Sequence, residues 1–246
     1  MNFQTKPSLS IIIPTLNEGD SIGPTLASVT KSGVDIEVLV ADGGSTDHTT
    51  EVARGYGARV IRCERGRGAQ MHRGASEAKG AILWFVHADT TVPSGAADSI
   101  KVALQDERVI AGNFEVRFGG EQGAARFMTW LYPQLRRLSL CYGDSAIFVR
   151  RNSYFKAGGF KSFPIFEDLD LFRELKKMGK FVHLPSTVIT SSRRFAGRSF
   201  AVMFTRWVAL QCLYWMGVSP KRLGRLYGVR GARGEGDRTA RGISSA

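Results

Sequence analysis

Four short apolar runs, each released into a polar turn and separated by helix-like segments, constrain this chain more than any other feature. "LSIII" (9–13) leads into "PTLNEGD", and "IEVLVA" (36–41) leads into "DGGSTD". "ARVIRC" (58–63) precedes "ERGRGAQ", and "AILWFVH" (81–87) ends in "ADTT". The stretches between them read as helices: one closing at about Thr30, one from about His48 to Gly55, and "GAQMHRGASEAKG" stopped by Gly80. Strands that alternate with helices of this length predict an α/β fold, a parallel sheet joined by crossover helices. Ligands of such sheets sit beyond the carboxyl ends of the strands. Here those ends carry Pro14–Glu18, Asp42–Asp47, Arg65–Gln70 and His87–Asp89, so polar residues gather on one rim.

The second half is less regular. "VIAGNFEVRF" (109–118) and "SAIFVRR" (145–151) read as strands, and "GAARFMTWLYPQLRRL" as an amphipathic helix. "FPIFEDLDLFRELKKMGK" is an acidic turn opening a helix, and "FVHLPSTVITSS" is extended. "FAVMFTRWVALQCLYWMGV" (200–218) is apolar except for Thr205, Arg206 and Gln211. It approaches spanning length, but a central arginine costs a few kcal/mol in a bilayer core. A core or interfacial helix is therefore the expectation.

Hydrophobic content of 43% with 23% charged residues is globular composition, and 246 residues suit one large domain with an appendage. Cys63, Cys141 and Cys212 are scattered without metal spacing, which favours a reducing compartment. The opening segment is too short and too soon acidic for a signal peptide, so a cytoplasmic protein is expected. The net charge of +12 is uneven: from Arg193 onward eleven Lys and Arg face only Glu235 and Asp237. A general polyanion binder would spread its basic face over the fold, so nucleic acid is not the expected partner. A nucleic-acid module built on the tail is the competing class. The sequence divides into a domain over 1–195, a helical segment over 196–229 that packs on the domain or a membrane surface, and a Gly/Arg-rich tail over 230–246 expected to be disordered.

Each rim residue has a bland reading beside the chemical one. Asp42, first after its strand, suits a ligand hydroxyl or base N–H, while Asp47 suits a helix cap and Asp42 with Ser45 could simply hold the turn. Gly66 and Gly68 suggest a dinucleotide loop, but position 71 is Met where a third glycine is needed. Arg65 and Arg67 could meet phosphate at a helix start or sit in solvent. Asp89 offers a hard oxygen to a divalent cation or caps a helix, and His87, two residues earlier, points to the same side. Glu167, Asp168 and Asp170 complement a helix N-terminus, or supply a general base beside a second acid.

In order along the chain, "LSIIIPTLNE", "VLVADGGSTDHT", "RGAQMHRGA", "HADT", "GDSAIFVRR" and "FEDLDL" resemble the inverting family-2 glycosyltransferases of GT-A fold, over roughly residues 8–195. The resemblance implies a Rossmann-like, mostly parallel sheet with flanking helices, and transfer of a sugar from a UDP- or GDP-linked donor to an acceptor hydroxyl. It implies nucleotide-sugar contacts from Pro14, Thr15, Glu18, Asp42, Arg67, Gln70, His87, Ala88, Asp89, Arg193 and Arg194. Asp89 matches the last acid of the family's DxD, which holds Mg2+ or Mn2+, and His87 stands where relatives carry the first acid. His87 is thus a weaker candidate for the same metal. Asp168 matches the catalytic base, with Glu167 and Asp144 on the acceptor side. "FVHADT", "YGDSAIFVRR" and "SSRRF" resemble a bacterial subgroup labelled arsenosugar-biosynthesis glycosyltransferases, which implies a small soluble acceptor. A lipid acceptor, met by peripheral membrane contact through 200–246, is the alternative within the family. A degenerate scaffold that binds donor without turnover is another, motivated by His87.

Overall fold

The computed structural model describes residues 8–32, 35–137, 140, 142–195 and 199–227, so the basic tail lies outside the described residues. The apolar runs form parallel strands β1 (Leu9–Thr15), β2 (Ile36–Asp42), β3 (Arg59–Arg62) and β4 (Ile82–Phe85). Helices α1 (Gly19–Thr30), α2 (Thr49–Gly55) and α3 (Arg67–Glu77) make the crossovers. β1 lies between β2 and β4, and both faces are covered. Ile11 and Ile13 enter one apolar cluster and Ile12 the other, all three fully buried. Burial of each contributes about 1.5–3 kcal/mol. This explains why the run is uniformly apolar rather than alternating.

Beyond β4 follow β5 (Thr90–Thr91), α4 (Ala96–Ala103), β6 (Val109–Phe118), α5 (Gly123–Arg137), β7 (Phe148–Arg150), α6 (Arg151–Lys156), α7 (Glu167–Met178) and β8 (Lys180–Thr190). The eight strands form one sheet in the order β3-β2-β1-β4-β7-β6-β8-β5. β7 is antiparallel to both β4 and β6, and β5 is antiparallel to β8, so the sheet is mixed though mostly parallel. The reversal at β7 positions the site. An antiparallel neighbour begins where β4 ends, which brings the turn before β7 to the rim. Parallel pairing of β8 with β6, and the Thr90↔Thr190 pair of β5 with β8, carry the end of β8 to the same rim.

The apolar 200–218 run forms α8 (Phe200–Trp215), followed by α9 (Pro220–Tyr227). Among the described residues no helix is long and apolar enough to cross a membrane. Leu210 and Leu223 instead join Tyr142, Phe166 and Leu169 in a third apolar cluster. The C-terminal helices are therefore seated against the acidic turn that opens α7. The Phe166 and Tyr214 rings lie 4.9 Å apart between centroids.

Candidate active site

A cavity of about 400 Å³ opens at the carboxyl ends of β1 and β4, lined by Pro14, Thr15, Leu16, Glu18, Arg65, Gly66, Arg67, Gln70, His87, Ala88, Asp89 and Arg193. Nine of the eleven residues expected to touch a nucleotide sugar line it. Asp42 lies behind the wall, buried, and the side chain of Arg194 is outside the described residues. Leu16 carries no polar side chain and gave no chemical signal in the sequence, whereas Gly66 belongs to the glycine pair set aside for want of a third.

The β1–α1 and β2–α2 turns are bonded to each other. Parallel register sets Thr15 beside Asp42, and the Thr15 hydroxyl donates to Asp42 Oδ1 at 3.2 Å. Asp42 Oδ2 accepts from the backbone N–H groups of Gly44 and Ser45, both at 3.0 Å. The turn-holding reading of Asp42 is thus realised. Asp47, expected to cap α2, instead precedes the N-cap His48; its Oδ1 accepts from the N–H of Thr49, the first residue of α2, at 3.0 Å, and its Oδ2 from Gly19 N–H at 3.0 Å. Gln70 donates to the carbonyls of Thr15 (2.6 Å) and Ala41 (2.9 Å). Although it lines the cavity, its amide N–H groups tie α3 to the ends of β1 and β2.

The strand end that carries Asp89 is pinned from three sides. Thr25 Oγ1 donates to Ala88 O at 2.8 Å, Thr90 N–H to His87 O at 3.1 Å, and Ser191 N–H to Asp89 O at 3.1 Å. The same β8 end delivers Arg193. Its guanidinium bonds both carboxylate oxygens of Glu18, donates to Ser21 Oγ at 2.6 Å, and lies 3.6 Å from Asp89 Oδ2. Glu18, Asp89 and Arg193, 175 positions apart at the extremes, form one charged cluster on the cavity wall.

Across the rim sits the acidic turn. Arg67, at the start of α3, bonds the buried Glu167 carboxylate. Close approach enforces this placement, since a Cβ on Gly68 would come within 2.2 Å of Lys161 O. Phe166 adopts a left-handed backbone (φ 62°) that swings the next two acids inward. Asp168 Oδ2 accepts from Gly143 N–H at 2.6 Å and Oδ1 from Leu169 N–H at 2.8 Å. Burial, reinforced by the neighbouring Glu167 charge, pushes the Asp168 carboxyl up to about 6, against the opposing pull of Arg67 and the two backbone donors. Gly143 separates this carboxylate from the imidazole of His87: a Cβ there would meet His87 Nε2 at 3.1 Å and Asp168 Oδ2 at 3.4 Å.

The imidazole of His87 is held at the cavity wall by a buried acid. Its Nδ1 lies 3.1 Å from Asp144 Oδ1, and its Nε2 is buried without a hydrogen-bond partner. Of the two ring nitrogens expected to offer a weaker metal ligand, Nδ1 is therefore taken up by Asp144 and Nε2 is left without a protein partner. Tyr132 donates to the other Asp144 oxygen at 2.9 Å. The His87–Asp144 pair was not legible in sequence, because only the antiparallel entry of β7 brings the two together. Among the described residues no three His, Cys, Asp or Glu side chains form a cluster that could hold a metal ion. Asp89 alone still fits a hard cation such as Mg2+ or Mn2+, which takes one or two carboxylates and completes its shell with phosphate oxygens and water.

The profile of glycosyl transferase family 2 matches residues 10–163. The chain belongs to that family. Over 98 residues it is 39% identical to the 4,4'-diaponeurosporenoate glycosyltransferase of Staphylococcus aureus, a match that takes in 37% of this chain and 26% of that protein. The chain thus spans about a quarter of the length of the curated relatives it matches. Among solved structures, the mannosyltransferase PcManGT from Pyrobaculum calidifontis, in complex with GDP-Man and Mn2+, superposes with a TM-score of 0.62 at 18% identity, covering 94% of this chain and 66% of that one. Glucosyl-3-phosphoglycerate synthase from Mycobacterium tuberculosis, in complex with Mn2+, UDP and glucosyl-3-phosphoglycerate, gives 0.60 at 19%, covering 87% and 81%. At these identities the likeness is one of fold.

Proposed function

We propose that this family-2 member transfers a sugar from a nucleoside-diphosphate donor to an acceptor hydroxyl with inversion at the anomeric carbon. The observation that carries the reading is Asp168: a buried carboxylate raised to about 6, set behind the cavity-lining His87 and Arg67 and across the rim from Asp89 and Arg193. A base in that range is deprotonated at neutral pH yet strong enough to take a proton in the transition state. Asp168 takes the acceptor O–H proton as the acceptor oxygen bonds the anomeric carbon. The bond from that carbon to the diphosphate oxygen breaks, and its electron pair leaves with the nucleoside diphosphate. Arg193 and Arg67 are placed to meet the growing negative charge. Asp89 would hold a divalent cation, which when bound neutralises diphosphate charge. Thr15, Glu18, Gln70 and the shell behind them, Asp42 included, shape the nucleotide end of the cavity.

Two acceptor readings stand within this proposal. The subgroup resemblance supports a small soluble acceptor. The outward apolar face of α8 supports one presented at a lipid surface, at the inner face of the plasma membrane, with the scattered cysteines in keeping with a cytoplasmic setting.

The reaction is tested by donor hydrolysis, since water substitutes slowly for an unknown acceptor. UDP- and GDP-sugars are screened with Mg2+ or Mn2+, for wild type and Asp89→Ala. Metal-dependent release of nucleoside diphosphate, lost in Asp89→Ala, is expected. A donor that raises the melting temperature but is never cleaved, even with candidate acceptors added, would make the protein a binding scaffold. The absence of both binding and cleavage with every donor would refute the proposal.

A further inference from the structure

Apart from Thr205, Arg206 and Gln211, α8 is apolar around its circumference, which in a globular protein marks a helix buried on most sides. Only one side is buried here. Leu210 and Gln211 face inward, while Val202, Thr205, Ala209 and Cys212, continued by the C-capping Met216, form an outward stripe at helical spacing with the exposed Arg206 at its edge. Val202 is 69% exposed and Met216 70%. Tryptophans flank the stripe: Trp215 at its C-terminal end and Trp130 on α5, each 61% exposed. Phe127 stacks edge-on against Phe200 and Phe204 and so joins the α5 tryptophan to the start of α8. Contiguous exposed apolar surface of this kind marks an interaction site.

The charge around the stripe selects its occupant. α5, α8 and α9 together carry seven Lys or Arg and no Asp or Glu. Arg126, Arg137, Arg206, Lys221, Arg222 and Arg225 are all exposed. A second copy of this chain would bring an equally cationic face against this one, and an isologous contact would set like charges together. Nucleic acid would answer the charge but leave the aliphatic centre without a partner. An anionic bilayer answers both, as acyl chains take Val202 and Met216, tryptophans settle at headgroup level, and each basic residue near the surface adds about 1 kcal/mol.

We propose that the outward face of α8, with Trp130, Trp215 and the basic residues of α9, docks this protein on the surface of an anionic lipid bilayer without crossing it. The inner side of α8 packs on Phe166 and Leu169, so a single helix layer, about 10 Å thick, separates the lipid from the turn that carries Asp168. The docking deepens the lipid-surface reading of the acceptor, yet it stands apart from the transfer reaction, because its test needs no donor.

The test is co-sedimentation of the full chain with phosphatidylglycerol/phosphatidylcholine vesicles and with phosphatidylcholine vesicles, alongside tryptophan emission and light scattering. Partition into the anionic vesicles with a blue shift is expected, and much weaker partition into neutral ones. Val202→Asp/Met216→Asp, at two exposed positions, is expected to lower anionic-vesicle binding about tenfold or more while leaving the melting temperature unchanged. Lys221→Glu/Arg222→Glu is expected to weaken it further at low salt. Failure to bind anionic vesicles would overturn the proposal. So would undiminished binding by the Val202/Met216 variant, or a dimer of the wild type that this variant dissolves. A wild type that cleaves donor but does not bind anionic vesicles would count against docking alone, and one that binds vesicles but cleaves no donor against the reaction alone.

Discussion

The two acidic turns behind the cavity's lining, one after β2 and one opening α7, satisfy their carboxylates in opposite ways. In the turn after β2, Asp42 and Asp47 are acceptors for backbone and hydroxyl donors of their own and the adjoining turn. Those bonds hold Asp47 below the usual carboxylate range, the Thr49 hydroxyl acting most strongly. In the first turn of α7, Asp168 has two backbone donors but is buried beside a second acid, and Glu167 Oε2 has no hydrogen-bond partner. The preceding residue, Phe166, holds a positive φ that a bulky side chain adopts only under constraint from its surroundings. The first turn spends its acids on geometry. The second keeps one acid poorly solvated and basic, at the expense of local stability.

The sharpest way to break this contrast is Asp168→Asn. If the second turn holds the base, kcat falls about 10²–10⁴-fold while donor affinity, read by thermal shift, stays near wild type. Removal of Asp42 would act instead through the fold, with kcat and melting temperature falling together. A wild-type rate in Asp168→Asn would remove the base from this turn.

The pH profile tests the same point without a substitution. The reaction needs Asp168 deprotonated, and its carboxyl is raised to about 6. The rate is therefore expected to climb through pH 6 and level above about 7, falling about tenfold per unit on the acid side. The stability consequence has the opposite sign. In the unfolded chain this group titrates near 3.8, so the folded chain binds the extra proton between that value and about 6. Stability from this group is thus greater below that window and is lost as pH rises through it. A flat rate between pH 5 and 8 would assign the proton transfer elsewhere.

Gly143→Ala probes how tightly the second turn is built. The new methyl would press on His87 Nε2 and Asp168 Oδ2 at once. Overpacking of this kind costs about 1–3 kcal/mol, and displacement of Asp168 should lower kcat more than it raises KM. Gln70→Ala probes the first turn and is expected to cost about 1–2 kcal/mol, since the ends of β1 and β2 each lose a side-chain donor. Its rate loss should follow its stability loss, which separates a brace from a binding residue. Urea unfolding beside single-turnover kinetics distinguishes the two patterns.

The legibility of these turns in sequence follows the range of their contacts. β1 to β4 and their polar ends were readable because apolar runs, turn residues and crossover helices are local signals, and each strand's rim residue follows it directly. The antiparallel entry of β7, three residues long, has no local signature, so neither the reversal nor the His87–Asp144 pair could be read. The same holds for Arg193. Sequence placed it near a diphosphate by resemblance, but its pairing with Glu18 depends on β8 joining the sheet beside β6 and β5. The apolar 200–218 run was legible as a helix but not as a cover for the acid turn, because helical periodicity does not say which element the inner face meets.

Arg193→Ala should produce the smallest change in stability and so joins the two halves of the contrast. Its side chain is half exposed, and such ion pairs contribute about 0–1 kcal/mol, so the melting temperature is expected to move little. Function should respond more. The guanidinium is bonded to Glu18 and sits close to Asp89, so one cation offsets only part of the charge of two acids at the mouth of the cavity. A diphosphate entering there brings negative charge toward two carboxylates, and Arg193 is the wall residue already positioned between them. Its loss leaves Glu18 and Asp89 to repel the donor, and affinity should fall about tenfold, the loss of one charge-assisted contact, with partial recovery at raised Mn2+. A variant that bound donor as tightly as wild type would mean that the cluster is bracing, like the turn after β2, and that the charge facing the diphosphate comes from Arg65 and Arg67 on the opposite wall.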